Sequence, residues 1–333
     1  MSSTASVDEP RRLGAVRSGP DRVFVAGVRS SGLLVLVVMT AVGAFLAVRA
    51  AQAIHVSGLS FLTTASWEPD AGAGHFGIAA VLIGTLLIGA TALFFALPLA
   101  IGTALYISEY APRRIRSTLI TLVDLMAAVP SVVYGLWGFF FLQGHVIGLA
   151  RWLSTYLGWI PLFAVDGQDP SDPLATATVY TSSTFIAGLV VALMVTPIAS
   201  SVMREAFTRA PSGEREGAFA LGATRWGVIR TVVLPFGRGG VIGGTMLALG
   251  RALGETITVY MIISQIFVIQ PHILQNGGSS VSSLIALRYG EATRFGTSAL
   301  MAAGLVLFLV TLLVNFVASS VIARSRSGAQ GDA

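Results

Sequence analysis

Six long, mainly apolar stretches constrain this chain more than any other feature; they lie near 31–49, 77–106, 117–142, 181–203, 239–268 and 297–321. Roughly 20 residues of helix cross the hydrocarbon of a bilayer, where a backbone must satisfy its own hydrogen bonds. With 54% hydrophobic and 11% charged residues in 333, and a mean hydropathy of +0.78, the apolar surface exceeds what one water-soluble core buries. The expected fold class is an all-α membrane protein with about six transmembrane helices.

Composition also excludes chemistry. Cysteine is absent, which rules out disulfides, thiolate metal sites and cysteine nucleophiles. Lysine is absent too, so a phosphate-cradling P-loop with its Lys cannot be built, and any ATP and Mg must be handled by a partner subunit. His55, His75, His145 and His272 lie too far apart to suggest a helical metal site. No HExxH or Gly-x-Ser-x-Gly run supports a membrane-embedded enzyme. The pI near 10.1 would suit nucleic acid only if the basic residues formed one patch.

They instead mark sidedness. All 21 basic residues are Arg. Sixteen fall in the N-terminal tail, the second-to-third connection (Arg113, Arg114, Arg116), the fourth-to-fifth connection and the C-terminal tail. Arg49, Arg151, Arg288 and Arg294 fall on the other side, and Arg251 sits inside a span. The positive-inside rule therefore makes both termini cytoplasmic. In this reading residues 1–29 are a mobile cytoplasmic tail and 30–74 an uncleaved first transmembrane helix with its outer loop. Residues 75–322 are the core, with an outer loop at 143–180 and a cytoplasmic loop at 204–238, and 323–333 are a second tail. The segment His145–Phe163, with Arg151, Trp152, Tyr156 and Trp159, is expected to be an interfacial helix within the outer loop, before the polar run through Asp166, Asp169 and Asp172.

The cytoplasmic loop reads Glu216-Gly217-Ala218-Phe-Ala220-Leu-Gly222, then Val232-Val-Leu234-Pro235. Small residues let a short helix approach another surface closely, Gly222 permits a sharp turn at its end, and Pro235 restarts the chain toward the membrane. Such a helix fits either a socket on a partner or the lipid surface. The spacing resembles the EAA loop of ABC-importer permeases, which docks the ATPase; Gly217 stands where that family usually has Ala. The resemblance assigns Glu216, Gly217, Ala218, Gly222, Leu234 and Pro235 to docking.

In the fifth stretch, glycines at 239/243, 240/244 and 250/254 repeat at a spacing that brings helices close together in lipid, which makes this a buried helix. Arg251 and Glu255, four apart, share a helix face. Buried charges are costly unless paired or solvated, so they form either an ion pair that locks neighbouring helices or the lining of a polar path in which Arg251 meets an oxyanion. In the second case Glu255 discriminates: phosphate near neutral pH retains a proton to donate to a carboxylate, whereas sulfate has none. Pro130 interrupts the third stretch and Asp124 precedes it; Asp124 is either a gate or lining residue or an interfacial partner of Arg113 or Arg116.

Pro130-Ser131-Val-Val-Tyr134-Gly, Gly250-Arg251-Ala-Leu-Gly-Glu255-Thr256 and the EAA-like loop occur together and in this order. They resemble the membrane subunits of the bacterial phosphate ABC importer, the Pst system, over about residues 75–320. Ile257-Thr-Val-Tyr260 and the long loop after the third stretch look like the PstC-type rather than the PstA-type subunit. The resemblance implies a type I importer permease fold in the bacterial plasma (inner) membrane. It also implies a heterodimer with a PstA-type permease, two copies of a PstB-type ATPase and a PstS-type phosphate-binding protein, with no cofactor on this chain. Arg251, Glu255, Thr256, Ser131 and Tyr134 would line the substrate path. Another oxyanion such as sulfate or molybdate, or a secondary transporter with no use for the loop at 204–235, are the competing readings.

Overall fold

The computed structural model describes residues 19–70, 76–167 and 177–326; Asp169 and Asp172 lie outside them, as do the ends of both tails. The described residues are nearly all helical, with isolated β-bridges in place of strands. Among the described residues, six helices are long and apolar enough to cross a membrane: Asp21–Leu62, Ala79–Tyr110, Ser131–Leu157, Thr184–Thr208, Arg225–Gly254 and Arg294–Val317. The chain falls into two units, residues 1–48 and 49–333. Helix α1 (Gly19–Ser57) makes residues 19–29, read from sequence as mobile tail, helical.

The centre of the second unit is the packing of α2 (Ala79–Leu105) on later helices. Ala92, Ala96, Ala100 and Ala104, each 0% exposed, form a stripe four residues apart, and such small side chains let backbones approach where lipid supplies no hydrophobic drive. After α2, a π turn (Tyr106–Tyr110) leads to α3 (Arg113–Ala128).

The third span departs from the sequence reading. Val129 and Pro130 are extended, ending α3, and a new helix α4 (Ser131–Trp137) runs through a π turn (Gly138–Leu142) into α5 (Gln143–Leu157). The transmembrane candidate is therefore 131–157, not 117–142, and residues 143–157 continue it instead of forming a separate helix in an outer loop. Proline removes an N–H and restrains the preceding residue, so the apolar run is cut where hydropathy alone is continuous.

Helix α6 (Thr184–Thr208) packs between α2 and the later helix Leu234–Gly254, with Ala187, Val191, Val195 and Ala199 fully shielded. At Gly188 a Cβ would lie 2.6 Å from Thr91 Cγ2, so the two helices touch at near-backbone distance. The following connection holds α7 (Ser212–Ala220), then a continuous helical rod made of α8 (Arg225–Val228), a π turn (Ile229–Val233) and α9 (Leu234–Gly254). Pro235 lies inside this rod; the helix has already begun at Arg225, and the π turn just before Pro235 accommodates its missing N–H.

Only part of the glycine pattern in α9 is used internally. A Cβ at Gly240 would fall 2.1 Å from Ala206 Cβ and one at Gly244 2.9 Å from the Ala199 carbonyl, but Gly239, Gly243, Gly250 and Gly254 have nothing within 4 Å. The helix is thus packed on α6 along one ridge and open along the other, not enclosed all round. Short α10 (Ile257–Ile262), α11 (Val281–Arg288) and long α12 (Arg294–Arg326) complete the fold. At the end of the bundle remote from α7, Ile273 ties the connection after α10 to two other segments: its N–H donates to the Leu162 carbonyl at 3.0 Å, and its carbonyl accepts the Phe185 N–H, in the first turn of α6, at 2.9 Å.

Candidate functional site

Two helix breaks meet inside the bundle. The first is Val129-Pro130, after which Tyr134 donates its hydroxyl to the Met126 carbonyl at 2.9 Å, adding to the long bond of 3.4 Å that the same carbonyl accepts from the Val129 N–H. The second is Glu255-Thr256: α9 ends at Gly254 and Glu255 is extended, with φ −67° and ψ 125°. The Thr258 hydroxyl joins the breaks, lying 3.0 Å from the Ser131 carbonyl and 2.9 Å from Glu255 Oε1. Gly135 makes this approach feasible, since a Cβ there would sit 3.2 Å from Thr258 Cα and 3.1 Å from the Met261 sulfur.

This geometry corrects the reading of Arg251 and Glu255 as two residues on one helix face. The helix stops between them, and among the described residues no ion pair joins them. Glu255 is 7% exposed and turns toward α10, where Oε1 accepts the Thr258 N–H at 3.2 Å as well as facing its hydroxyl. A carboxylate at a helix N-terminus meets unpaired N–H groups and the positive end of the dipole. Thr256, half-buried, donates to the Gly254 carbonyl at 3.2 Å.

Arg251 is exposed on the open ridge of α9, in a groove shared with Gly243, Leu247 and Gly250, Ile198 of α6 and Asn315 of α12. Its depth follows from Leu253, which packs against Gly89 of α2. Gly89 is ten residues beyond Ala79, about 15 Å along that helix. Arg251 thus sits part-way along the length of the packed helices, with its side chain exposed to a groove.

Asp124 is exposed on α3 and accepts from the Ser201 hydroxyl at 3.4 Å, while the Arg116 guanidinium donates to the Ser108 carbonyl. Pairing of Asp124 with Arg113 or Arg116 is not what the structure contains. Pro130 is exposed at the break.

The second candidate surface is α7 and its turn. Gly222 has φ +85°, and the Ala223 N–H to Ala218 carbonyl (3.0 Å) and Gly222 N–H to Phe219 carbonyl (2.9 Å) bonds close the helix as a Schellman motif. This is the sharp turn expected from the sequence. Glu216 and Gly217 are exposed, Ala218 is half-buried, and nothing lies within 4 Å of a Cβ placed at Gly217. Leu234 is half-buried and Pro235 exposed, a π turn away from α8. Sequence reasoning passed over the apolar side chains beside these motif residues: Leu221 is 92% exposed, Trp226 58% and Phe219 49%. It also missed Arg215, whose guanidinium meets Glu109 at the end of α2. Among the described residues no His, Asp and Glu cluster is arranged to hold a metal.

The family model described as binding-protein-dependent transport system inner membrane component matches residues 96–327. The chain is similar to the phosphate transport system permease protein PstC 2 of Mycobacterium tuberculosis, 37% identical over 303 residues that cover 90% of this chain and 91% of that one. It is likewise 37% identical to phosphate transport system permease protein PstC of Xylella fastidiosa over 274 residues, 82% of this chain and 81% of the relative. Among solved structures it is similar to a bacterial ABC transporter involved in the import of the acidic polysaccharide alginate, with a TM-score of 0.57, 19% identity, and coverage of 92% of this chain and 96% of that chain. At that identity the likeness establishes the fold.

Proposed function

The chain belongs to the family of binding-protein-dependent transport system inner membrane components, among the PstC-type phosphate permeases, and from that membership we propose that it forms half of the translocation path of an ATP-driven importer of inorganic phosphate. A PstA-type permease supplies the other half, two copies of a PstB-type ATPase hydrolyse ATP with Mg, and a PstS-type protein delivers phosphate from outside. Both termini and the 204–235 connection face the cytoplasm, a reading supported by the sixteen arginines on that side.

The observation that carries the path assignment is Arg251: a guanidinium part-way along the packed helices, exposed to a groove and without an ion-pair partner among the described residues. A charge left so in lipid is costly, whereas beside an aqueous path it is solvated and offers paired donors to an oxyanion. Glu255, Thr256, Ser131 and Tyr134 gather at the adjacent breaks, where irregular backbone is tolerated only against protein or a water-filled cavity. Pro130 stands at the break and Asp124 more than a turn before it in α3, facing Ser201 of α6, and the two positions serve as a gate. The exposed Leu221, Trp226 and Phe219 beside Glu216, Gly217, Ala218 and Gly222, with Leu234 and Pro235 behind them, support docking of the ATPase.

The test is uptake of labelled phosphate by proteoliposomes holding this chain with its permease partner, ATPase and binding protein, with sulfate as competitor. ATP-dependent uptake that sulfate leaves unchanged, and that Arg251→Gln abolishes, is expected. Uptake independent of the ATPase, or equal transport by Arg251→Gln, overturns the assignment.

A further inference from the structure

Among the described residues, α7 has no buried residue. It is joined to α6 through Arg209–Pro211 and to α8 through Leu221–Thr224, with the positive-φ Gly222 in the second link. A force applied to α7 therefore meets two short backbone links and one strong side-chain connection, Arg215. Its Nη2 donates to the Phe207 carbonyl at 2.6 Å, in the last turn of α6, where that carbonyl also accepts the Ala210 N–H at 3.2 Å. Its Nη1 donates to Glu109 Oε2 at 3.3 Å, and Nη2 lies 3.2 Å from Oε1. The side chains are 22% and 12% exposed, so the pair is shielded from salt far better than Arg209–Glu205, at 72% and 58%. Phe207 is itself fully buried and its ring lies flush on Gly237 of α9, where a Cβ would come within 2.4 Å.

One guanidinium thus grips the ends of α2 and α6, and through Phe207 bears on α9, the three helices that form the centre of the bundle. We propose that Arg215 and Glu109 are positioning residues that couple ATPase-driven displacement of α7 to movement of the spans. The proposal rests on the docking reading given above. It differs from simple bracing of the loop because it requires loss of transport per ATP while the ATPase stays bound. Rigid transmission suits a guanidinium that hydrogen-bonds a carboxylate oxygen through one nitrogen and a backbone carbonyl through the other, since two donors of one planar group fix orientation as well as distance.

The experiment uses the full complex in proteoliposomes and compares the native chain with Glu109→Gln, Arg215→Met and the exchange Glu109→Arg/Arg215→Glu. The absence of cysteine lets spin labels be placed cleanly at Gly213→Cys on α7 and Arg114→Cys on α3 in each background. Expected are unchanged co-purification of the ATPase, a fall of about fivefold or more in phosphate moved per ATP for the single variants, a broadened label distance, and partial recovery of the ratio on exchange. An unchanged transport-to-ATP ratio with a narrow distance overturns the proposal, as does loss of the ATPase from the single variants, which would make the pair a brace for the loop. Failure of the native complex to retain the ATPase would instead remove the docking reading itself.

Discussion

Glu255 accepts from Thr258 twice over, its Oε1 lying 3.2 Å from the backbone nitrogen and 2.9 Å from the hydroxyl. The carboxylate therefore caps α10 at a break within the bundle, and this structural task can be separated from selectivity. Glu255→Gln keeps an oxygen acceptor in the same place and removes the charge, whereas Glu255→Ala removes both. Glutamine should leave thermal stability almost unchanged and let sulfate compete with phosphate for uptake. Alanine should also cost about 1 kcal/mol of stability, the usual loss of a cap. Thermal unfolding in detergent and competitive uptake check the pair; a glutamine variant with native selectivity refutes the discriminating role.

Arg251 separates stability from transport in a different way. Removing one partner of a buried ion pair costs about 3–5 kcal/mol, but Arg251 is exposed and no ion pair holds it among the described residues. Arg251→Gln should thus unfold within about 0.5 kcal/mol of the native chain while losing phosphate uptake. Arg251→Lys retains charge without the planar fork and should transport at an intermediate rate. Thermal melts beside initial uptake rates decide this; a strong loss of stability would return Arg251 to a bracing role.

The two glycines of the EAA-like loop should respond in opposite directions. Gly217 is helical with open space around it, so Gly217→Ala should stabilise α7 by about 0.5–1 kcal/mol and keep ATPase binding. Gly222 is held at φ +85°, and Gly222→Ala should cost about 1–2 kcal/mol or displace the turn. Amide exchange across 212–224 reads both effects locally.

The existence of the spans was legible because about 20 apolar residues in a row have few alternative fates, and the turn at Gly222 because a glycine after a short helix marks its stop. The register of the third span was not, since hydropathy is blind to the break that Pro130 makes between two apolar helices. The end of α9 carried a usable signal: Gly254 is followed by Thr256, Ile257, Thr258 and Val259, β-branched residues that weaken a helix. The run of glycines and the i, i+4 spacing of the charges point the other way, to a continuous helix. Arg215 left no trace at all, because its partner Glu109 is 106 positions away and a contact between connections has no period in sequence.

The exposed tip of the same loop provides the most direct test of docking. Leu221 is 92% exposed and lies beside Gly222, so its side chain contributes almost nothing to the fold of this chain. Leu221→Asp should therefore leave thermal unfolding within about 0.5 kcal/mol of native. If a socket on the ATPase receives the side chain, the same substitution places an unpaired carboxylate in an apolar contact, and truncation of such anchors typically costs about 2 kcal/mol or more of binding. Trp226→Ser, at 58% exposure, should act in the same direction. A lipid surface would respond differently: vesicle composition, not the ATPase, would govern the loss. Co-purification of the ATPase and ATP-dependent uptake, measured in neutral and anionic lipids, distinguish these outcomes; native ATPase retention by Leu221→Asp in both lipids would dismiss this tip as the docking element.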